Sequence, residues 1–283
     1  MRLISAISEA SGRVNEDGFG LAGTPEDVTA AWIFDGVTGI NERNYLPGNS
    51  DAAWLVEKAN AHLQVLAAQD LSLKEILARL VKALIIDWQD VSPSLRLPVD
   101  FDPPAACLVL VKRYGNQWQS LRLGDSCLLV EKNDGQHHLD VSSPNNEFDD
   151  WLTQAAKMMR AQGERDIKKM VEAFRPELIA SRLARNTPDG YGILEARSVV
   201  LDYAEYRGLG EARSILLCTD GFYRAVDHYH QLSPQQLVQR CKLEGGAASI
   251  LRQLREIEAG DPDCVKYARF KPADDATAVM LSA

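Results

Sequence analysis

The apolar, strand-like runs of this chain are repeatedly bordered by acidic residues. The run WIF, for example, is followed by Asp35 and Gly36. A lone Asp-Gly pair usually does no more than form a turn, since Asp hydrogen-bonds to its own backbone and Gly adopts a positive φ. Here acids recur at five strand edges, which carry Glu16 and Asp17, Asp35, Asp125, Asp220, and Asp274 with Asp275. Turn formation alone does not require so many acids, although chance supplies some of them, and the sequence leaves open whether several of these edges meet in the fold.

Predicted strands are grouped with strands, and predicted helices with helices. Strands are expected near both ends of the chain and over residues 106–131, where three apolar runs indicate an antiparallel meander. RSVVLDYA and RSILLCTD are also typical of strands. This grouping predicts an α+β layering rather than regular βαβ alternation. No repeat or Pro/Gly-rich linker divides the sequence, so we expect a single domain over residues 1–283.

Helical patterns occur on both sides of the strand-rich region. Residues 50–68 and 72–88 form a first pair, and the second of these starts with a capping box at Ser72. Another capping box opens a helix after Ser233, and a further helix is expected around 247–259. These helices have the apolar spacing that covers one face of a sheet.

At 283 residues, with 46% hydrophobic and 25% charged residues, the composition is that of an ordinary globular protein. The net charge of −9 argues against a broad surface for nucleic acid or anionic membranes. No run approaches the roughly 18 apolar residues that a membrane helix requires, and the amino terminus lacks the apolar core of a signal peptide. Five cysteines without a CxxC spacing indicate reduced thiols. We therefore expect a cytoplasmic protein.

Converging carboxylates repel one another unless something neutralises them. Shared protons are one solution, and a bound cation is another. Because no Cys or His accompanies these acids, oxygen ligands favour a hard ion such as Mg²⁺ or Mn²⁺. Two such ions can activate a water molecule and orient it for in-line attack on phosphorus. If the strand edges converge, the pattern therefore predicts a metal site.

Taken in order, NED, FDG, LGDS, CTDG and DDAT resemble the motifs of the metal-dependent protein serine/threonine phosphatases of type 2C. The resemblance extends from Arg13 to Leu281, and all five fragments occur in the order of the family. It implies a four-layer αββα sandwich, in which helices flank two antiparallel sheets. It also implies two ions, Mg²⁺ or Mn²⁺, in a cleft at one end of the sheets.

The resemblance assigns roles motif by motif. Asp35 would bridge the two ions, and the carbonyl oxygen of Gly36 would bind one of them. Asp220 and Asp274 would bind the other ion, and Asp17 would be a further ligand. Weaker or indirect contacts with the metals are expected of Glu16, Asp125 and Asp275.

Three positions depart from the family pattern. Many members have an arginine three residues before the Asn of NED to bind the substrate phosphate. Arg13 is only two residues before it, and we keep it as a catalytic candidate beside Asp35 and Asp220. Val37 occupies the place of a histidine proposed as general acid in animal members. Arg224 occupies the place of an acid that helps to bind a third ion, and a cation there should discourage such an ion.

The charged, helical segment within residues 147–192 falls where the family has a variable flap near the cleft. Such segments often set specificity, although a solvated helical face is the simpler interpretation of most of its charges. His228 and His230, spaced i, i+2, are not expected to bind metal, and His137 and His138 are expected at the surface.

The predicted function is the metal-dependent hydrolysis of phosphoserine and phosphothreonine in proteins by a metal-activated water, which implies a role in signalling. The partner is then a phosphorylated protein, with neither nucleic acid nor a membrane involved. Two alternatives stay open: a catalytically weak relative that acts as a regulatory binding module, and a phosphatase of small phosphate esters. A purely structural acidic domain would have no tight divalent-metal site.

Overall fold

The computed structural model describes residues 1–37, 39–41, 43–132, 137–140 and 145–283, with the backbone alone for 137–140, 145–147 and 149. The strands are β1 (Arg2–Glu9), β2 (Gly18–Thr24), β3 (Asp27–Val37), β4 (Ala105–Tyr114), β5 (Gln117–Leu123), β6 (Cys127–Lys132), β7 (His137–Asp140), β8 (Glu205–Gly210), β9 (Ala212–Cys218) and β10 (Ala276–Ser282). The helices are α1 (Asp51–Leu66), α2 (Leu73–Val91), α3 (Asn145–Ala161), α4 (Ile167–Ala173), α5 (Arg175–Leu183), α6 (Asp220–Tyr223), α7 (Pro234–Cys241) and α8 (Gly246–Ala259). None of these helices is long and apolar enough to cross a membrane. The side chains of His137 and His138, expected at the surface, lie outside the described residues.

Two antiparallel sheets form the centre of the fold, and in the described part of the chain each has five strands. The strand order is β1-β10-β9-β6-β7 in the first sheet and β2-β3-β4-β5-β8 in the second. The two ends of the chain pair with each other, with Arg2 opposite Ser282. In the second sheet β3 lies between β2 and β4, and Phe34 is opposite both Gly18 and Leu108.

The alternation of side chains along β3 separates two hydrophobic layers. Trp32 and Phe34 belong to the layer that packs against α1 and α2. Ala31 and Ile33 belong to the layer between the two sheets, together with residues such as Leu217 of β9. Because successive side chains of a strand point to opposite faces, any residue of β3 with the parity of Ile33 faces the gap between the sheets.

Helices cover the outer face of each sheet. The apolar side of α2, predicted from its spacing, is buried with α1 on the second sheet. On the first sheet, Leu237 of α7 and Leu254 of α8 pack with Leu216 of β9 and Met280 of β10. The order of layers is helices, sheet, sheet, helices. The predicted α+β fold, a four-layer αββα sandwich, is confirmed.

Two predicted strand arrangements are wrong. The third run of the predicted meander, β6, pairs with β9 of the first sheet and not with β5. The chain changes sheets at Gly124, where φ is 83°. RSVVLDYA contains a 3-10 turn at Ser198–Asp202, which buries Val200 in the helix-facing layer, and the strand comes afterwards as β8. Apolar patterning does not reveal which sheet a strand joins, because both sheets bury the same residue types.

Helices α3, α4 and α5, residues 145–183, form a unit that we call the helical cap. It overlaps the segment predicted to be helical, residues 147–192, and begins two residues before it. Phe174 makes an edge-to-face contact with Trp151 of the cap at a centroid distance of 5.4 Å, and a second one with Phe270 at 5.8 Å. Met170 of the cap packs with Ala268. The cap is therefore held by the loop that precedes β10.

Replacing Ser72 with Ala is expected to lower the free energy of unfolding by about 1 kcal/mol. The Ser72 hydroxyl accepts a hydrogen bond from the Glu75 backbone nitrogen at 3.3 Å, and the Glu75 carboxylate accepts one from the Ser72 backbone nitrogen at 2.9 Å. Both bonds satisfy amides that helix α2 leaves unpaired. Urea denaturation measures the loss. Ser72→Thr keeps the hydroxyl, and an equal loss in both variants would contradict the capping role.

Candidate metal centre

The ends of two paired strands bring Asp17 and Asp35 together. Gly18 lies opposite Phe34 in the β2–β3 ladder, so the next pair along these strands is Asp17 and Asp35. Asp35 has the parity of Ile33 and therefore faces the gap between the sheets. The second sheet thus presents two carboxylates at one end of this gap.

The first sheet brings Asp220 to the same end through β9. The backbone nitrogen of Thr219 donates to the carbonyl oxygen of Thr277 at 3.0 Å, and the Thr277 nitrogen donates to the Thr219 hydroxyl at 2.9 Å. The same hydroxyl donates to Asp17 Oδ2 at 2.9 Å. Thr219 therefore connects β9, β10 and the start of β2, immediately before Asp220 begins α6.

Two glycines allow backbone segments to approach closely around these acids. A Cβ atom on Gly36 would lie 2.4 Å from the carbonyl oxygen of Glu16. On Gly221 it would lie 1.9 Å from the carbonyl oxygen of Asp275 and 3.0 Å from the Cβ of Asp274. Distances this short exclude a side chain without a shift of the backbone. The two Asp-Gly pairs thus do more than form turns, because their glycines allow the acid-bearing segments to lie close together.

Asp275 supports the connection between β1 and β2. Its carboxylate accepts hydrogen bonds from the backbone nitrogen of Ser11 at 2.7 Å, the Ser11 hydroxyl at 2.9 Å and the backbone nitrogen of Glu16 at 2.7 Å. These bonds join the segment before β10 to the segment that carries Glu16 and Asp17. Asp275 therefore orders the surroundings of the acids.

Asp125 follows Gly124, where the chain passes from one sheet to the other. Cys107 of β4, which lies opposite Asp35, donates its thiol proton to Asp125 Oδ1 at 3.2 Å. Burial, followed by repulsion from Asp220, raises the pKa of Asp125. This carboxylate thus lies beside the other acids, as its strand-edge position predicts.

The crowding of these acids shifts their proton affinities. Burial, and then repulsion from Asp220 and Asp275, raises the pKa of Asp17 to about 8 against the opposing hydrogen bond from Thr219. Burial and the nearby Asp220 and Asp17 raise the pKa of Asp35 well above its usual value. Burial also acts to raise the pKa of Asp220, but Arg224 and Lys271 lower it overall. Asp17 and Asp35 thus carry the repulsion that a cation would relieve.

Asp274 is already paired with two basic side chains. Arg224 donates to Asp274 Oδ2 at 2.7 Å, and its guanidinium lies 3.9 Å from Asp220 Oδ2. The Lys271 ammonium donates a short hydrogen bond to Asp274 Oδ1. Lys271 was not among the sequence candidates, although it lies only three residues before Asp274.

A cavity of about 1570 Å³ lies between the acids and the helical cap. On the side of the sheets it is lined by Asp35, Gly36, Asp125, Asp220, Arg224 and Lys271. Asp17 and Asp274 are buried and do not line it. Arg13 is exposed, and it is also absent from the lining. The predicted phosphate-binding role of Arg13 therefore stays a prediction without support from a contact.

The arrangement of acids at one end of a two-sheet sandwich agrees with a sequence comparison. The sequence profile of the protein phosphatase 2C family matches residues 7–256, which is most of the chain. The chain belongs to the protein phosphatase 2C family. It is accordingly a metal-dependent protein serine/threonine phosphatase, and the binding-module and small-ester alternatives are not favoured.

Solved bacterial phosphatases share the fold of this protein phosphatase 2C. The serine/threonine phosphatase PstP/Ppp of Mycobacterium tuberculosis has a TM-score of 0.55 at 15% identity, over 98% of this chain and 96% of that chain. Stp1 from Staphylococcus aureus has a TM-score of 0.53 at 12% identity, over 100% and 97%. A PstP catalytic domain in complex with two manganese ions has a TM-score of 0.50 at 15% identity, over 98% and 95%. No curated protein is significantly similar to this chain in sequence.

The donor set of this phosphatase suits the hard ions expected of its family. The carboxylates of Asp17, Asp35 and Asp220 and the Gly36 carbonyl supply oxygen donors alone, and their mutual repulsion favours a cation. In the part of the chain that the structure describes, no three His, Cys, Asp or Glu side chains close around a single point. The Asp17 carboxylate accepts a hydrogen bond from Thr219, and the Asp274 carboxylate accepts hydrogen bonds from Arg224 and Lys271. The residues fit a metal centre whose ligands must change partners on binding.

Proposed function

We propose that this phosphatase holds two divalent ions, Mg²⁺ or Mn²⁺, between the ends of its two sheets. Asp35 would be shared by both ions, Asp17 and the Gly36 carbonyl would help to hold one of them, and Asp220 and Asp274 would hold the other. When bound, the ions neutralise the substrate phosphate and activate the attacking water. Glu16, Asp125 and Asp275 act around this centre, the last of them by ordering the β1–β2 connection.

The observation that carries this proposal is the meeting of acids from both sheets. Asp17 and Asp35 come from paired strands of the second sheet, and Asp220 from the end of β9 in the first. The hydrogen bond from Thr219 to Asp17 crosses between the two sheets at this point. A centre built on the ends of buried strands is rigid, which metal ligands and an attacking water both require.

The substrate we infer is a phosphorylated protein segment. The cavity of about 1570 Å³ is much larger than a phosphate group, so it has room for a phosphorylated side chain and its neighbours. Its far wall is the helical cap, which we infer to contact the residues that flank the phosphate. A structurally similar phosphatase holds two manganese ions, which supports the number of ions proposed here.

Removal of divalent ions is expected to abolish phosphate release from a phosphothreonine peptide. Because the carboxylates hold a cation through charge and oxygen donors alone, a chelator should strip it and Mn²⁺ or Mg²⁺ should restore it. Phosphate release is measured before chelation, after chelation and after each ion is added back. Ca²⁺, which prefers more ligands at longer distances, serves as the control ion. Full activity in the chelated protein would contradict the proposal.

We further propose a single domain over residues 1–283, a cytoplasmic location and a role in signalling. Arg13 has no contact with the cavity that supports its catalytic role. All five cysteines are free and buried, and their reduced state stays a prediction.

A further inference from the structure

We propose that Arg224 and Lys271 are resident cations that compete with one of the two metal ions for Asp274. The ion bound by Asp220 and Asp274 is consequently weak, and the ion bound by Asp17, Asp35 and Gly36 is tight. This inference rests on the metal centre proposed above. It concerns Arg224, which departs from the family pattern, and Lys271, which lies outside the five motifs.

Both oxygens of Asp274 have basic partners. Oδ2 accepts from Arg224 at 2.7 Å, while Oδ1 accepts from Lys271 and from the Asp275 backbone nitrogen, the latter at 3.1 Å. These bonds occupy three of the roughly four lone-pair positions of the carboxylate. A divalent ion at Asp274 therefore meets two basic groups at close range. Their repulsion, together with the loss of any charge-assisted hydrogen bond that the ion displaces, reduces the affinity for the ion.

Arg224 is a fixed part of the centre. Only 15% of its side chain is exposed, and its backbone nitrogen donates to the Asp220 carbonyl oxygen at 2.9 Å within α6. From this position the guanidinium reaches Asp274 and remains within 3.9 Å of Asp220. One arginine thus partly neutralises both carboxylates proposed for the weaker ion.

Lys271 is more easily displaced, because 55% of its side chain is exposed. The loop that carries it is nevertheless well ordered. Arg269 donates to the carbonyl oxygen of Pro272 at 3.1 Å and forms an ion pair with Asp261 at 2.6 Å, and Phe270 packs against Phe174 of the helical cap. The backbone on both sides of Lys271 is therefore held, which keeps the ammonium close to Asp274.

The balance of charge points in the same direction. Once deprotonated by metal binding, the four proposed ligand carboxylates carry four negative charges, and Arg224 and Lys271 supply two positive ones. A single divalent ion then neutralises these six groups. A second ion therefore binds to a centre with no net charge. Without the two basic side chains, the centre would keep a net negative charge that attracts the second ion.

The test is a titration of the metal-free protein, residues 1–283, with Mn²⁺. Binding is monitored by calorimetry and by the electron paramagnetic resonance signal of free Mn²⁺. We expect one ion in the wild type to bind at least about tenfold more tightly than the other, which corresponds to 1.4 kcal/mol. Lys271→Met should lower the Kd of the weaker ion about fivefold. The effect is no larger because a half-exposed ion pair has only a small interaction energy. Arg224→Met should lower this Kd about tenfold, because its pair is more buried. The Kd of the tighter ion should fall by a smaller factor in both variants, because Arg224 and Lys271 pair with Asp274 and not with Asp17 or Asp35.

Lys266→Met is the matched control, because Lys266 lies on the same loop and lines the same cavity but contacts the Tyr267 ring rather than a carboxylate. It should leave both Kd values unchanged. Two equal Kd values in the wild type would overturn the inference, and so would an unchanged weaker Kd in both Lys271→Met and Arg224→Met. In either of those cases two ions still bind, so the proposed metal centre stands. Failure of any Mn²⁺ to bind would instead overturn the metal centre and the competition together.

Discussion

Asp220→Asn is expected to lower kcat/KM for a phosphothreonine peptide by about a thousandfold or more. This loss corresponds to at least about 4 kcal/mol of transition-state stabilisation. Asp220 lines the cavity at the start of α6, and one of its carboxylate oxygens lies 3.9 Å from the Arg224 guanidinium. Asn has the same shape but is neutral and offers a single, weaker oxygen donor. The free energy of unfolding should change by less than about 1 kcal/mol, because the residue is partly exposed and its volume is kept.

Asp150→Asn provides the control for this loss. Asp150 is an exposed acid that lines the same cavity from the helical cap, away from the sheet ends. Its neutralisation should change kcat/KM by less than about threefold, since an exposed charge interacts weakly through water. Initial rates over a range of peptide concentrations, at saturating Mn²⁺, separate kcat from KM. Activity of Asp220→Asn within tenfold of the wild type would remove Asp220 from the proposed metal centre.

Gly221→Ala is expected to lower the free energy of unfolding by about 3 kcal/mol and kcat/KM by about a hundredfold. The added Cβ would lie 1.9 Å from the carbonyl oxygen of Asp275 and 3.0 Å from the Cβ of Asp274. Backbone cannot yield as a flexible side chain does, so α6 and the segment before β10 must move apart. That movement separates Asp220 from Asp274, and displacements of about 1 Å at a reacting centre cost about a hundredfold in rate.

Gly208→Ala makes the same chemical change where there is space. No heavy atom lies within 4 Å of a Cβ added to Gly208 in β8, and its φ is not in the left-handed region. Its free energy of unfolding should stay within about 1 kcal/mol of the wild type, with unchanged activity. Denaturant unfolding and peptide kinetics are measured for both variants. If Gly221→Ala behaves like Gly208→Ala, the close approach at Gly221 does not hold the two acids in place.

Much of the site follows from local sequence patterns. Asp35 and Asp220 were identified because each acid ends an apolar run and is followed by glycine, and strand ends are where a sheet can present a carboxylate. The capping boxes at Ser72 and Ser233 mark the starts of helices for a similarly local reason. Such features depend on residues within three or four positions of each other, so they are legible in the sequence itself.

Other features depend on residues far apart in the chain. That β6 joins β9 rather than β5 is decided by pairing across about 85 residues, and both partners are apolar enough for either sheet. The pairing of Asp274 with Arg224 spans 50 residues, so no motif around Asp274 reveals that it is already neutralised. The hydroxyl of Thr219 connects the two sheets, and the only sign of this role in the sequence is that Thr219 precedes Asp220.

The sequence alone therefore determined the layered α+β class, the helix starts and the identity of the acids at the strand edges, because alternation, capping and turn chemistry act over a few residues. The tertiary structure alone decided which acids meet, which of them lines the cavity and which is paired with a basic side chain. Those outcomes depend on the register of distant strands and on the distance between charges, and neither quantity is local to any stretch of the chain.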